Sequence, residues 1–71
     1  MVIGSAVGAL KDGKRVARAG WNGKNMYLEL QVPDKFSKMT EPYVFMKTAP
    51  GGLIPWLCSQ ADLLAEDWEI V

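Results

Sequence analysis

The stretch Arg18-Ala19-Gly20-Trp21-Asn22-Gly23-Lys24 separates two apolar segments and carries the strongest turn signal in the chain. Asn-Gly in this setting predicts a two-residue β-hairpin turn of type I′, because both central residues of that turn need a positive φ. Trp21 is therefore expected where a strand enters the turn. Its flat side chain lies between two cations, so it either stacks on a planar ring with anionic groups or anchors the core beside an ordinary hairpin.

Outward from this turn, side-chain alternation, helix-capping residues and Pro or Gly breaks predict the remaining elements. Met26 to Val32 alternates apolar and polar residues and is the clearest strand. Ser59, with an acidic residue three positions later, has the layout of a helix cap. Because the period of a strand is two, Arg18 is expected on the same face as Val16.

These signals together predict a small α+β domain with an antiparallel sheet. The predicted order is a helix capped by Ser5 that runs to about Asp12, strands at 14–19, 26–32, 43–48 and 53–57, a short helix after Ser59, and a strand at 67–71.

The chain of 71 residues is expected to form a single domain, residues 1–71. At this size folding buries only about 60% of the surface that the unfolded chain exposes, so the core is marginal alone. Cys58 is the one cysteine and there is no histidine. An intramolecular disulfide is therefore impossible, and a zinc site would need carboxylates alone. Association of subunits is the most economical remaining source of stability.

The net charge is zero, but the charges are unevenly placed. The cations Lys11, Lys14, Arg15, Arg18 and Lys24 cluster with only Asp12 among them, whereas the segment from Asp62 to Val71 carries four acidic residues and no cation. This asymmetry favours head-to-tail pairing or a local anion site over binding to a nucleic acid polymer. No apolar run approaches the roughly 18 residues of a membrane span, and no signal peptide is evident, so a cytosolic protein is expected.

Residues that commonly carry catalysis are scarce. Without histidine, Cys58 lacks an imidazole partner, and its apolar neighbours predict a buried structural thiol. Asp62, Glu66 and Asp67 can pair as carboxylates for acid/base chemistry, but solvated or capping roles are expected for them. An enzyme is therefore not expected.

Groups that bind a nucleotide are better supplied, since such a ligand uses aromatic, cationic and neutral polar partners together. The candidates are the aromatic residues Trp21, Trp56, Tyr43 and Tyr27, the cations Arg15, Arg18, Lys24 and Lys47, and the neutral polar residues Asn22, Thr48, Ser59 and Gln60. A core role is the alternative for Trp56, and it is the expected role for Trp68.

Four blocks of the chain resemble the Thoeris anti-defence sponge family of phage and prophage proteins, of the second described type. They are Gly13 to Lys24, Met46-Lys47-Thr48, Pro55 to Asp62 and Leu64 to Trp68. The resemblance covers nearly the entire chain. It implies a protein without catalytic activity or cofactor that assembles as a homotetramer and sequesters cyclic ADP-ribose isomers made by bacterial immune TIR-domain proteins. Some members also hold cyclic dinucleotides at a second site. The resemblance also implies that the protein acts in the cytoplasm of the infected bacterium.

The resemblance also implies which residues form the ligand site. They are Arg18, Trp21 and Asn22 in the first block, Lys47 and Thr48 in the second, and Trp56, Ser59, Gln60 and Asp62 in the third. The loop from Pro33 to Glu41 is short for this family, and a shortened loop is expected to change which signal fits. A structural or protein-interaction module of a phage or prophage and a hydrolase acting on the nucleotide remain as alternatives.

Overall fold

The computed structural model covers residues 1–71 and confirms the α+β class. Its elements are α1 (Ile3–Lys11), β1 (Val16–Arg18), β2 (Tyr27–Gln31), β3 (Tyr43–Lys47), β4 (Leu53–Pro55), α2 (Gln60–Leu64) and β5 (Trp68–Ile70). The strands form one five-stranded sheet in the order β4-β3-β2-β1-β5, and every pairing is antiparallel. Because β4 and β5 lie at opposite edges, the chain between them crosses the sheet and brings α2 with it.

One face of the sheet is covered by the helices and holds the core. Val16 pairs with Leu28, and Trp68 lies on the same face opposite Arg18. Ala6, Ala9 and Leu10 of α1 pack on Val16, Leu28 and Trp68, which are at most 2% exposed. Removal of this apolar surface from water is the main stabilising contribution to the domain. We call this side of the sheet the helix face.

The other side of the sheet has no helix over it, and we call it the open face. The pairing of Val16 with Leu28 places Ala17 beside Tyr27, and Tyr27 pairs in turn with Lys47. On the far side of Ala17 lies Glu69. A row of charged and aromatic side chains therefore crosses four strands on this face, with one small residue in the middle of it.

The predicted type I′ turn at Asn22-Gly23 is wrong. β1 and β2 are antiparallel neighbours, but residues 19–26 connect them, and the one non-glycine residue with positive φ is Asn25, at 60°. Gly23 serves close packing instead, since a Cβ there would lie 2.8 Å from the Cβ of Ala49 and would overlap the side chain of Met26. Trp21 consequently lies in a wide loop and not at the entry to a tight turn.

Two predicted helix caps had different outcomes. Ser5 is not the cap of α1, because the helix begins at Ile3, and Val2 precedes it without a side-chain hydrogen bond. The cap at Ser59 is confirmed, since its Oγ accepts a hydrogen bond from the backbone N–H of Asp62 at 3.1 Å. Strands predicted at 14–19 and 53–57 are shorter, at 16–18 and 53–55. Neither helix has the length and apolar character that crossing a lipid bilayer requires.

Candidate functional site

The three tryptophans form one cluster on the helix face. Trp68 is buried at its centre, and the rings of Trp21 and Trp56 meet it edge-on, with centroids 5.4 Å and 5.9 Å away. Such edge-to-face pairs add to the free energy gained by burial. Trp21 and Trp56 are themselves half-buried, so part of each ring remains accessible. The cluster therefore fixes two rings that also reach the surface.

Arg18 lies beside this cluster and is held by two carboxylates. Its Nε donates a hydrogen bond to Oδ1 of Asp67 at 2.8 Å, and its Nη1 donates to Oδ1 of Asp62 at 2.9 Å. The indole Nε1 of Trp21 donates to the same Asp62 oxygen at 3.3 Å. Two negative charges around one guanidinium compensate its positive charge within the protein. Arg18 thus fixes Asp62, which in turn orients Trp21.

Backbone contacts hold both carboxylates in place. The carbonyl of Asp62 accepts a hydrogen bond from Nε1 of Trp68 at 3.0 Å, and Ser59 caps the helix that carries Asp62. The second oxygen of Asp67 accepts from the backbone N–H of Gly20 at 2.8 Å. A Cβ at position 20 would lie 2.9 Å from that oxygen, so glycine permits the close approach. The network therefore connects β1, α2 and the start of β5.

The hydrogen bond from Arg18 holds the pKa of Asp67 below its ordinary value of 3.8, and the N–H of Gly20 acts in the same direction. A carboxyl whose pKa is lower in the folded state contributes stability above its unfolded pKa, and this contribution is lost as the pH falls through the folded value. Asp67→Asn is therefore expected to destabilise the protein at about pH 7, with a difference from wild type that shrinks below about pH 4.

Urea denaturation of wild type and Asp67→Asn across this pH range measures the effect. Glu41→Gln is the matched control, because Glu41 is exposed and makes no side-chain hydrogen bond or salt bridge. Its difference from wild type measures the effect of removing a carboxylate that has no ion-pair partner. A difference for Asp67→Asn that stays constant with pH would contradict the role of the Arg18 pair.

A cleft of about 470 Å³ opens on the other side of the same region, on the open face. Ala17 lies at its floor, where a methyl group stands among longer side chains, and the loop between β1 and β2 forms one wall through Trp21, Gly23 and Asn25. Of the nine site residues that the family resemblance implies, Arg18, Trp21 and Lys47 are among the twelve residues that line it, and so are the nucleotide-binding candidates Arg15 and Tyr27. Trp21 therefore both contacts Trp68 and lines the cleft.

Tyr27 is the aromatic residue of the cleft that comes from the sheet itself. The guanidinium carbon of Arg15 lies 4.4 Å from its ring centroid, and Nζ of Lys47 lies 5.8 Å from it. Nε of Arg15 also donates to Oε1 of Glu29 at 2.7 Å, which raises the pKa of Arg15 above its ordinary value. Nζ of Lys47 donates to the carbonyl of Asn25 at 3.1 Å. Two cations are thus held against one ring.

The other six predicted site residues do not line this cleft. Trp56, Ser59 and Asp62 belong to the cluster on the helix face, and Gln60 begins α2 with its side chain exposed. Asn22 is exposed in the loop after β1, and the hydroxyl of Thr48 donates to the carbonyl of Gly52 at 3.2 Å, which stabilises the turn between β3 and β4.

The prediction of a buried Cys58 is wrong in degree, because this thiol is half-buried. Its Sγ donates to the carbonyl of Ser59 at 3.5 Å. Partial burial raises the pKa of Cys58, and the charge of Asp62 adds to the effect. A raised pKa keeps the thiol protonated and therefore a poor nucleophile. No group of three or more His, Cys, Asp or Glu side chains is placed to hold a metal ion.

Comparison with known proteins identifies the family of this chain. The family model of the Thoeris anti-defense 2-like domain matches residues 1–71. The chain belongs to the Thoeris anti-defense 2-like family. A protein of Bacillus phage SP01, named Thoeris anti-defense 2, is 42% identical over 84 aligned positions that cover 100% of this chain and 94% of the phage protein.

The match confirms the resemblance that the sequence blocks predicted. It gives this Thoeris anti-defense 2-like protein a phage anti-defence role. The matched range includes every residue of the tryptophan cluster, of the Arg18 network and of the open-face cleft.

Proposed function

We propose that this protein binds a cyclic nucleotide immune signal, a cyclic ADP-ribose isomer in the first place, and holds it without degrading it. The free concentration of the signal falls, and the effector that it activates stays inactive. One domain, residues 1–71, carries this activity in the cytoplasm of the infected bacterium. The observation that supports the proposal most is the open-face cleft, with its cations and aromatic rings, in a chain of an anti-defence family.

The size and chemistry of the cleft suit a nucleotide. Its volume of about 470 Å³ falls within the usual range of small-molecule sites, about 300 to 1,000 Å³. Trp21 offers a flat surface for a base, and Lys47 offers a cation for a phosphate group. A sequestering protein needs affinity instead of turnover, and nanomolar binding corresponds to about 12 kcal/mol. Ring stacking and charge-assisted hydrogen bonds are the interactions that reach this value in a small site.

Self-association completes the proposed site. The cleft is open to solvent, and a second copy of the chain would enclose a ligand that one small protomer cannot surround. Exposed apolar side chains near β4 support association, because Leu53, Ile54 and Leu57 are 64%, 49% and 91% exposed. The resemblance of the chain to the sponge family implies a homotetramer. A cyclic dinucleotide at a second site belongs to the same proposal.

Calorimetric titration with a panel of cyclic ADP-ribose isomers and cyclic dinucleotides tests this function. We expect tight binding of at least one cyclic ADP-ribose isomer and recovery of the intact nucleotide after the protein is denatured. Light scattering on the same samples gives the number of subunits. Release of a cleaved nucleotide would show that the protein is a hydrolase. The absence of binding heat with every member of the panel would contradict the proposal.

An interaction module of a phage or prophage is the second candidate. The high exposure of Leu57 and of Phe36, 91% and 83%, favours it, because large exposed apolar residues commonly contact other proteins. The calorimetric panel separates the two candidates, since a pure interaction module binds none of the nucleotides.

A further inference from the structure

The cations that line the cleft differ in how far the protein compensates their charge. Arg18 donates to the carboxylates of Asp62 and Asp67. Arg15 pairs with the single carboxylate of Glu29, and both side chains are partly exposed, at 52% and 31%. Lys47 donates only to a neutral carbonyl. Lys47 and Arg15 therefore retain more attraction for an incoming anion than Arg18 does.

The strands hold these two cations around Tyr27. Lys47 of β3 is the direct neighbour of Tyr27 of β2, and Arg15 lies just before β1, which pairs with the other edge of β2. Contacts with the ring restrain both charged groups, since a cation near an aromatic face is attracted to it. A site built on neighbouring strands is also more rigid than one built on a loop.

We propose that Arg15 and Lys47, positioned by Tyr27, bind the phosphate groups of the ligand, and that Arg18 is a positioning residue that holds Trp21 at the rim of the cleft through Asp62. This inference rests on the proposed function and names the residues that recognise the anionic part of the ligand. The ligand class is a nucleotide or another molecule with a diphosphate group. Arg18 keeps its two carboxylates when the ligand binds.

The Arg15–Glu29 pair makes Glu29 a competitor of the ligand. A phosphate that reaches the guanidinium replaces the carboxylate as its partner, and the carboxylate then remains near the bound anion. Glu69 places a second negative charge in the lining of the cleft. Removal of either charge is therefore expected to strengthen the binding of a phosphate. If Glu29 only supports the structure, its removal is instead expected to weaken the binding of a phosphate.

The test is a calorimetric titration of the full chain with two titrants, the tightest binder of the cyclic nucleotide panel and inorganic pyrophosphate. Arg15→Gln and Lys47→Gln are each expected to weaken binding about tenfold or more and to reduce its dependence on salt. Lys11→Gln is the matched control, because it removes one positive charge from α1 on the helix face. Tyr27→Leu is expected to weaken binding, whereas Tyr27→Phe keeps the aromatic ring and is expected to bind as wild type does. Glu29→Gln is expected to strengthen binding a few-fold.

Arg18→Gln is distinguished by its salt dependence. If Arg18 only positions Trp21, Arg18→Gln is expected to lower the affinity and the thermal stability of the protein. The slope of log affinity against log salt concentration is then expected to equal that of wild type. Arg15→Gln and Lys47→Gln are expected to leave the thermal midpoint within a few degrees of wild type and to lower the slope of log affinity against log salt concentration. An Arg18→Gln variant with a lowered slope and an unchanged thermal midpoint would make Arg18 a direct phosphate ligand and would contradict the assignment.

The two titrants separate this inference from the proposed function. Tight nucleotide binding that Arg15→Gln and Lys47→Gln leave unchanged keeps the proposed function and overturns the inference. Pyrophosphate binding that depends on both cations, without binding of any cyclic nucleotide, supports the anion site and overturns the proposed function. Failure of wild type to bind either titrant overturns both.

Discussion

Replacement of Trp68 by alanine is expected to lower the free energy of unfolding by about 3 to 5 kcal/mol, the usual effect of deleting a buried aromatic side chain. Trp68 is 2% exposed, its ring contacts Trp21 and Trp56, and its indole N–H donates to the carbonyl of Asp62. The substitution leaves a cavity and removes the surface on which both other rings pack. In a domain of this size a single hydrophobic core rarely supplies more than about 3 to 5 kcal/mol of net stability. Partial unfolding at room temperature is therefore expected.

Urea denaturation followed by circular dichroism measures this loss, since fluorescence itself depends on the deleted tryptophan. Val32→Ala is the control, because Val32 is 67% exposed and its truncation creates no cavity. The control is expected to unfold within about 0.5 kcal/mol of wild type. An unfolding midpoint of Trp68→Ala equal to that of Val32→Ala would show that the tryptophan cluster is not the centre of the core.

Trp21→Ala is expected to weaken nucleotide capture about tenfold to a hundredfold, because stacking of a base on an aromatic side chain contributes about 1 to 3 kcal/mol. Trp21 is one of the residues that line the open-face cleft, and its contacts with Trp68 and Asp62 hold its ring in place. Calorimetry with the tightest binder of the nucleotide panel measures the change. Trp21→Phe keeps an aromatic surface and is expected to retain much of the affinity.

Trp56→Ala provides the matched control for that experiment. Trp56 meets Trp68 with nearly the same edge-on geometry as Trp21 but does not line the open-face cleft. Both variants lose one contact with Trp68, whereas only Trp21→Ala removes a wall of the cleft. Equal loss of capture by both folded variants would attribute the effect to the core and would contradict stacking on Trp21.

The fold class, most elements and one helix cap are predictable because their signals are local. Alternation predicts β2, the apolar run after Pro42 predicts β3, and Ser59 with Asp62 predicts the start of α2. The prediction of a type I′ turn after β1 was wrong because a glycine that follows asparagine can be required for either of two physical reasons. Glycine after asparagine suits a positive φ, but Gly23 accommodates the side chains of Met26 and Ala49. Local sequence does not distinguish these two uses of glycine.

The candidate site is predictable in its residue types but not in its pairings. Arg18 and Trp21 are evident as binding groups, yet the carboxylates that compensate Arg18 lie 44 and 49 residues further along the chain. Tyr27 and Arg15 are equally visible in the sequence. Their proximity follows from the pairing of Val16 with Leu28, which no local pattern specifies. The sequence therefore indicates the chemistry, and the strand register decides which cations remain available.

The two edge strands of the sheet affect how readily the protein aggregates at high concentration in a cell. β4 and β5 are three residues long, Pro55 lacks an N–H, and Met1 exchanges backbone hydrogen bonds with Trp68 along the outer side of β5. Short, blocked edges offer little template for the addition of a foreign strand and so oppose fibril growth. Under the proposed function the protein must accumulate to the concentration of its target, and we expect edges of this kind to permit a high copy number without aggregation.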